Sequence, residues 1–91
     1  MTTEQLTTAV DLDIRIRRTD GVWTIEARNM DLSADGKARE EAASTLLAAA
    51  QEERDALAPA EAKGVLMASG VRRLHRLRGL VELLTVLAGT T

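Results

Sequence analysis

Cysteine, phenylalanine and tyrosine are absent, and tryptophan, histidine and proline each occur once. Without cysteine there are no disulfides, thiolate metal sites or sulfur nucleophiles. One histidine, His75, with no second His and no suitably spaced carboxylate does not make a metal site. Ser33, Ser44 and Ser69 have no triad partners in the sequence, and no Gly-rich loop matches a phosphate cradle. Glu40-Glu41 and Glu52-Glu53 are adjacent pairs, and adjacent carboxylates on a helix point apart rather than sharing a proton. The expectation is therefore no catalytic residues, no cofactor and no metal. No apolar run approaches the roughly 18 residues of a membrane span, and no basic-then-apolar segment opens the chain. Those two absences predict a cytoplasmic protein with no membrane contact.

Ninety-one residues suggest one domain, residues 1–91. A chain this short buries only about 60–65% of its unfolded surface, so an isolated copy is marginal and association with a second copy is a natural remedy. Trp23 is the sole aromatic, so the core must be aliphatic. Trp23 itself reads as the main core plug, with a partner anchor as the rarer alternative. The net charge of −2 is unevenly placed: residues 1–63 hold 8 Lys/Arg against 13 Asp/Glu, and residues 64–91 hold 4 Arg against Glu82.

The clearest local signal is Asp20-Gly21, a dipeptide suited to the positive φ angles of a two-residue type I′ turn. Folding the chain there sets Ile16 against Ile25, Arg15 against Glu26, Ile14 against Ala27 and Asp13 against Arg28. One face then carries Leu12, Ile14, Ile16, Trp23, Ile25 and Ala27, and the other carries opposite-charge pairs that fix register. Strands are predicted at about Val10–Arg18 and Val22–Met30. Residues 1–8 show no periodicity and are expected to fray. Asn29 to Ser33 is expected to lead off the sheet, with a turn at Asp35-Gly36.

From Ala38 to Ala58 good helix formers dominate. Ala43, Leu46, Leu47, Ala50 and Leu57 make one apolar stripe, and Glu40 and Glu41 complement the helix dipole in the first turn. Pro59 is expected to end this helix or begin the next. Residues 59–91 read as a second helical region, with a strand around Gly64–Ser69 as the competing assignment. Leu74, Leu77, Val81, Leu84 and Ala88 follow the 3-4-3-4 spacing of a packed seam, while Leu80, Leu83 and Leu87 form a second stripe. A helix apolar nearly all round is buried on more than one face. The sequence thus predicts an α+β fold. An antiparallel β-hairpin packs on an α-helix (residues 10–58, a ββα unit), and a C-terminal helical region (59–91) mediates homodimerisation through Leu74, Leu77, Leu80, Val81, Leu84 and Leu87.

Two charged groups are candidate contact sites. Glu40, Glu41, Glu52, Glu53 and Asp55 form an acidic edge suited to a basic protein partner. Arg72, Arg73, Arg76 and Arg78 form the only basic cluster, whose alternatives are contact with nucleic-acid phosphates or pairing with the acids of the first helix. At about 100° per residue Arg78 points far from Arg72 and Arg76, and no aromatic interleaves them for base stacking.

The order of hairpin, turn, glycine and acidic helix start also resembles the N-terminal ββα domain of HicB-like antitoxins, a partial double-stranded-RNA-binding-like domain. There an aromatic-bearing strand runs into a loop and a Gly-x-Thr-x-x-Glu-Ala segment that opens the helix. Here the corresponding residues are Trp23-Thr24-Ile25-Glu26-Ala27, then Gly36-Lys37-Ala38-Arg39-Glu40-Glu41-Ala42, followed by Leu46, Leu47 and Ala50. Ala38 stands where the family has its capping Thr, and residues 59–91 show no clear helix-turn-helix or ribbon-helix-helix pattern. The resemblance implies a toxin-neutralising regulator that binds a protein partner stoichiometrically, with operator binding as a further implication. A nucleic-acid-binding regulator using the arginine cluster, and a structural subunit of a larger phage or secretion assembly, are the alternatives.

Overall fold

At Asp20-Gly21 the chain reverses with φ angles of 53° and 80°, the positive pair that a type I′ turn demands. The computed structural model describes residues 2–7 and 12–89. It shows four strands, β1 (Thr2–Thr7), β2 (Asp13–Thr19), β3 (Val22–Ala27) and β4 (Leu32–Gly36), then two helices, α1 (Arg39–Ala62) and α2 (Ala68–Leu87). The strands form one antiparallel sheet in sequential order. The fold is α+β, with the hairpin packed on a helix. The central register is the expected one: Ile14 faces Ala27, Arg15 faces Glu26 and Ile16 faces Ile25. Asp13 also meets Arg28, through a backbone hydrogen bond of 2.9 Å and an ion pair at 3.9 Å. Glu26, however, pairs with Arg17 on the diagonal rather than with Arg15 opposite.

Two strands replace segments expected to be irregular. Thr2–Thr7 does not fray but pairs along β2, from Thr2 opposite Arg18 to Thr7 opposite Asp13. Three of its six residues are threonine, a β-branched type that favours strands, and its polar composition hid any alternation. Leu32–Gly36 does not leave the sheet but returns along β3, with Leu32, Ala34 and Gly36 opposite Ala27, Ile25 and Trp23. The reversal before it uses Asp31 at φ 56°, a bond from Met30 N–H to the Ala27 carbonyl at 3.1 Å, and the buried Met30 side chain. The Thr24 hydroxyl donates to Asp35 at 2.7 Å across the outer face.

Helix α1 begins without a side-chain cap at Ala38. It runs past the expected end at Ala58 and carries Pro59 within its last turn. Proline removes one donor to the preceding turn, yet the helix closes only at Gly64. There Val65 N–H reaches the Ala60 carbonyl at 3.0 Å and Gly64 N–H reaches Glu61 at 2.9 Å, with Gly64 at φ 71°, a Schellman closure. The competing strand at Gly64–Ser69 does not form, since the link is irregular through Met67 and α2 starts at Ala68.

The core lies between one sheet face and both helices. Leu12, just before β2, and Ile14, Ile16 and Ile25 of the sheet form one core cluster with Ala43, Leu46 and Ala50 of α1 and Leu77, Leu80 and Leu84 of α2. Four strands about 4.8 Å apart make a surface wider than one helix of about 10 Å diameter can cover, so two helices are needed.

Candidate interaction surfaces

This second cover corrects the expected dimer interface. Leu74, Leu77, Leu80 and Leu84 have no exposed surface within the single chain, and Val81 and Leu87 are half-buried against the same core. Leu77, Leu80 and Leu84 are taken up by the chain's own core, and Val81 and Leu87 keep part of their surface exposed. The expectation of an intermolecular cover arose because only two of the four strands were recognised.

The basic cluster is likewise divided. The Arg73 guanidinium donates to Glu53 from Nε at 3.1 Å and from Nη2 at 2.9 Å, and Nη2 also donates to the Met30 carbonyl at 3.1 Å. Arg78 makes a two-pronged contact with Glu61 at 3.0 and 2.6 Å. These hydrogen bonds hold the Glu61 carboxyl below its ordinary value and the Arg78 guanidinium above its own, against an opposing contribution from desolvation. At about 100° per residue, Arg73 and Arg78 fall on opposite sides of the Leu74–Leu77 ridge. The two bonds therefore clamp α2 to α1 from both flanks. Arg72 and His75 are exposed and Arg76 is half-buried, so the four arginines do not present one continuous phosphate-binding face.

The acidic edge is sorted by the same wheel. Glu53 faces α2 and is engaged by Arg73. Glu41, Glu52 and Asp55 share one exposed strip on the side of α1 away from the core, and Glu40 lies exposed at its head. Asp55 accepts from its neighbour Arg54 at 3.1 Å. The carboxylates of Glu40, Glu41 and Glu52 have no hydrogen-bonding or ionic partner among the described residues. Of the five acids of that edge, Glu53 is the one joined to an α2 arginine among the described residues. Glu61 falls beyond the Ala58 boundary expected for the first helix, in the turn that follows Pro59.

Trp23 is half-buried and packs on the core, with the Arg18 guanidinium carbon 5.8 Å from its ring centroid. A shallow indentation of about 190 Å³ lies beside the β3–β4 reversal, lined by Glu26, Ala27, Arg28, Asp31, Leu32 and Ser33. Its open, mixed-charge lining provides no set of converging groups for a small ligand. Among the described residues no group of three His, Asp or Glu is placed to hold a metal ion. No helix there is long and apolar enough to cross a membrane. No protein-family model matches this chain, no curated protein matches it and no solved structure matches it.

Proposed function

We propose that the chain is a non-enzymatic, cytoplasmic interaction module of the antitoxin-like kind, acting by stoichiometric binding to a basic protein surface. The observation that carries this reading is the exposed strip of Glu41, Glu52 and Asp55, headed by Glu40, on a helix whose remaining carboxylates, Glu53 and Glu61, are matched by arginines of α2. Charge of one sign on a rigid helix steers an oppositely charged partner and sets its orientation, chiefly by raising the association rate. Binding would occlude the partner's working surface without chemistry.

The test is affinity capture from the source cell with the wild-type chain beside Glu41→Lys/Glu52→Lys/Asp55→Lys. One protein retained at a fixed ratio by the wild type and lost by the triple variant supports the reading, whereas equal retention by both sinks it. Labelled random-sequence duplex DNA, titrated at low and at physiological salt, examines the nucleic-acid alternative. With Arg73 and Arg78 engaged, the expectation is no retention at physiological salt and no effect of Arg72→Ala/Arg76→Ala.

A further inference from the structure

The face of α2 turned away from the core carries Val71, His75, Gly79, Glu82 and Val86. At about 100° per residue these five positions fall within a stripe roughly 80° wide. Val71 is 45% exposed and Val86 73% exposed, and His75 and Glu82 are exposed between them. We propose that this stripe is a self-complementary docking face on which a second copy of the chain packs its own α2 in antiparallel orientation.

The argument rests on spacing and charge. A two-fold axis passing between residues 78 and 79 brings Val71, His75, Glu82 and Val86 onto one another, and sets Gly79 opposite Arg78 of the second copy. Val71 meets Val86 of the second copy, His75 meets its Glu82, and Gly79, with no side chain of its own, leaves room for the backbone at Arg78 opposite. An isologous contact requires this mirrored pairing. Glu82 is the single acid of α2, and neither it nor His75 has a hydrogen-bonding or ionic partner among the described residues. They cannot satisfy one another within a helix, because seven residues of rise separate them by about 10 Å. Across the two-fold axis they are opposite, and Glu82 of the second copy also approaches Arg78.

The helix dipole points the same way. The arginines crowd the N-terminal half of α2, with no acid in the first turn and no base in the last. This is the unfavourable placement for an isolated helix. An antiparallel neighbour lays its negative C-terminal end beside those arginines and offsets the cost. This face is distinct from the acidic strip on α1, so it stands or falls separately from the proposed partner site.

Sedimentation equilibrium of the full chain, with far-UV circular dichroism to confirm folding, tests the proposal through a charge swap. The wild type is expected to dimerise. Glu82→Lys sets a cation against His75 and Arg78, and His75→Glu sets two carboxylates together, so each single change should weaken dimerisation by about tenfold or more. The double variant His75→Glu/Glu82→Lys sets opposite charges face to face and should recover the dimer. A wild type that remains monomeric at millimolar concentration overturns the proposal. So does a double variant no better than the singles, or a dimer indifferent to all three changes.

Discussion

Two glycines reverse the chain for different physical reasons, and the difference can be measured. A Cβ on Gly36 would lie 2.5 Å from the Ala42 nitrogen and 3.1 Å from the Ala38 oxygen. Both are backbone atoms at the start of α1, so the strand end and the helix start would have to move apart. Gly64→Ala meets no atom within 4 Å and suffers only the left-handed backbone at φ 71°. The expected losses are about 1–3 kcal/mol for Gly36→Ala, as for other overpacked sites, and about 1 kcal/mol for Gly64→Ala. Urea midpoints at constant m-value check the order. A Gly36→Ala chain as stable as the wild type would mean that the β4–α1 corner is looser than it stands here.

At the scale of elements, α2 is held by its leucines and oriented by its arginines. Arg73→Ala removes a bidentate partner from Glu53 and leaves the Met30 carbonyl without its donor. Discounted for partial exposure, the expected loss is about 1–2 kcal/mol, and Arg73→Lys should recover part of it because the charge stays while the fork is lost. The Glu61–Arg78 pair adds a pH dependence of fixed sign. Its carboxyl titrates lower in the folded chain than in the unfolded one, so its contribution is complete above the ordinary carboxylate range. It disappears as pH falls through the lowered folded value. Glu61→Gln should flatten that part of an acid-denaturation profile and leave the neutral-pH end of the curve shifted down. An unchanged acid limb would show that the pair is not formed in solution.

These elements were unequally legible in the sequence. The hairpin register was readable because Asp-Gly fixes the turn and period-two alternation fixes the faces. The stripe of α1 was readable because Ala43, Leu46, Leu47 and Ala50 repeat at helical spacing. The outer strands were not, since Thr2–Thr7 and Leu32–Gly36 are mostly small or polar residues whose pairing is set by β2 and β3 rather than by their own propensity. Arg73 and Arg78 could be seen as a cluster, but which carboxylates they meet depends on how α2 lies on α1, and Pro59 disguised the turn that supplies Glu61. The acids of α1 read as a single edge in the sequence, and the packing of α2 divides them, turning Glu53 to Arg73 and leaving Glu41, Glu52 and Asp55 exposed.

At the scale of the whole molecule, the body measures 45 Å along its longest axis and about 20 Å across. Helix α1 is roughly 36 Å long at 1.5 Å per residue, while the strands have five to seven residues. Full burial along α1 stops at Ala50, so its later turns lie against α2 rather than the sheet. Leu84 of α2 is fully buried in the common core, whereas Glu82, two residues away, faces solvent. The pair therefore separates folding from association. Leu84→Ala should cost about 2–5 kcal/mol, the range for a truncated core leucine. Leu84→Asp, which buries a carboxylate without a partner, should abolish the helical circular dichroism and the native Trp23 fluorescence at every protein concentration. Glu82→Lys should leave both signals intact and change only the sedimentation behaviour. If Leu84→Asp instead gave a folded monomer, the leucine would belong to an interface between copies, and α2 would have to be released from the sheet it covers here.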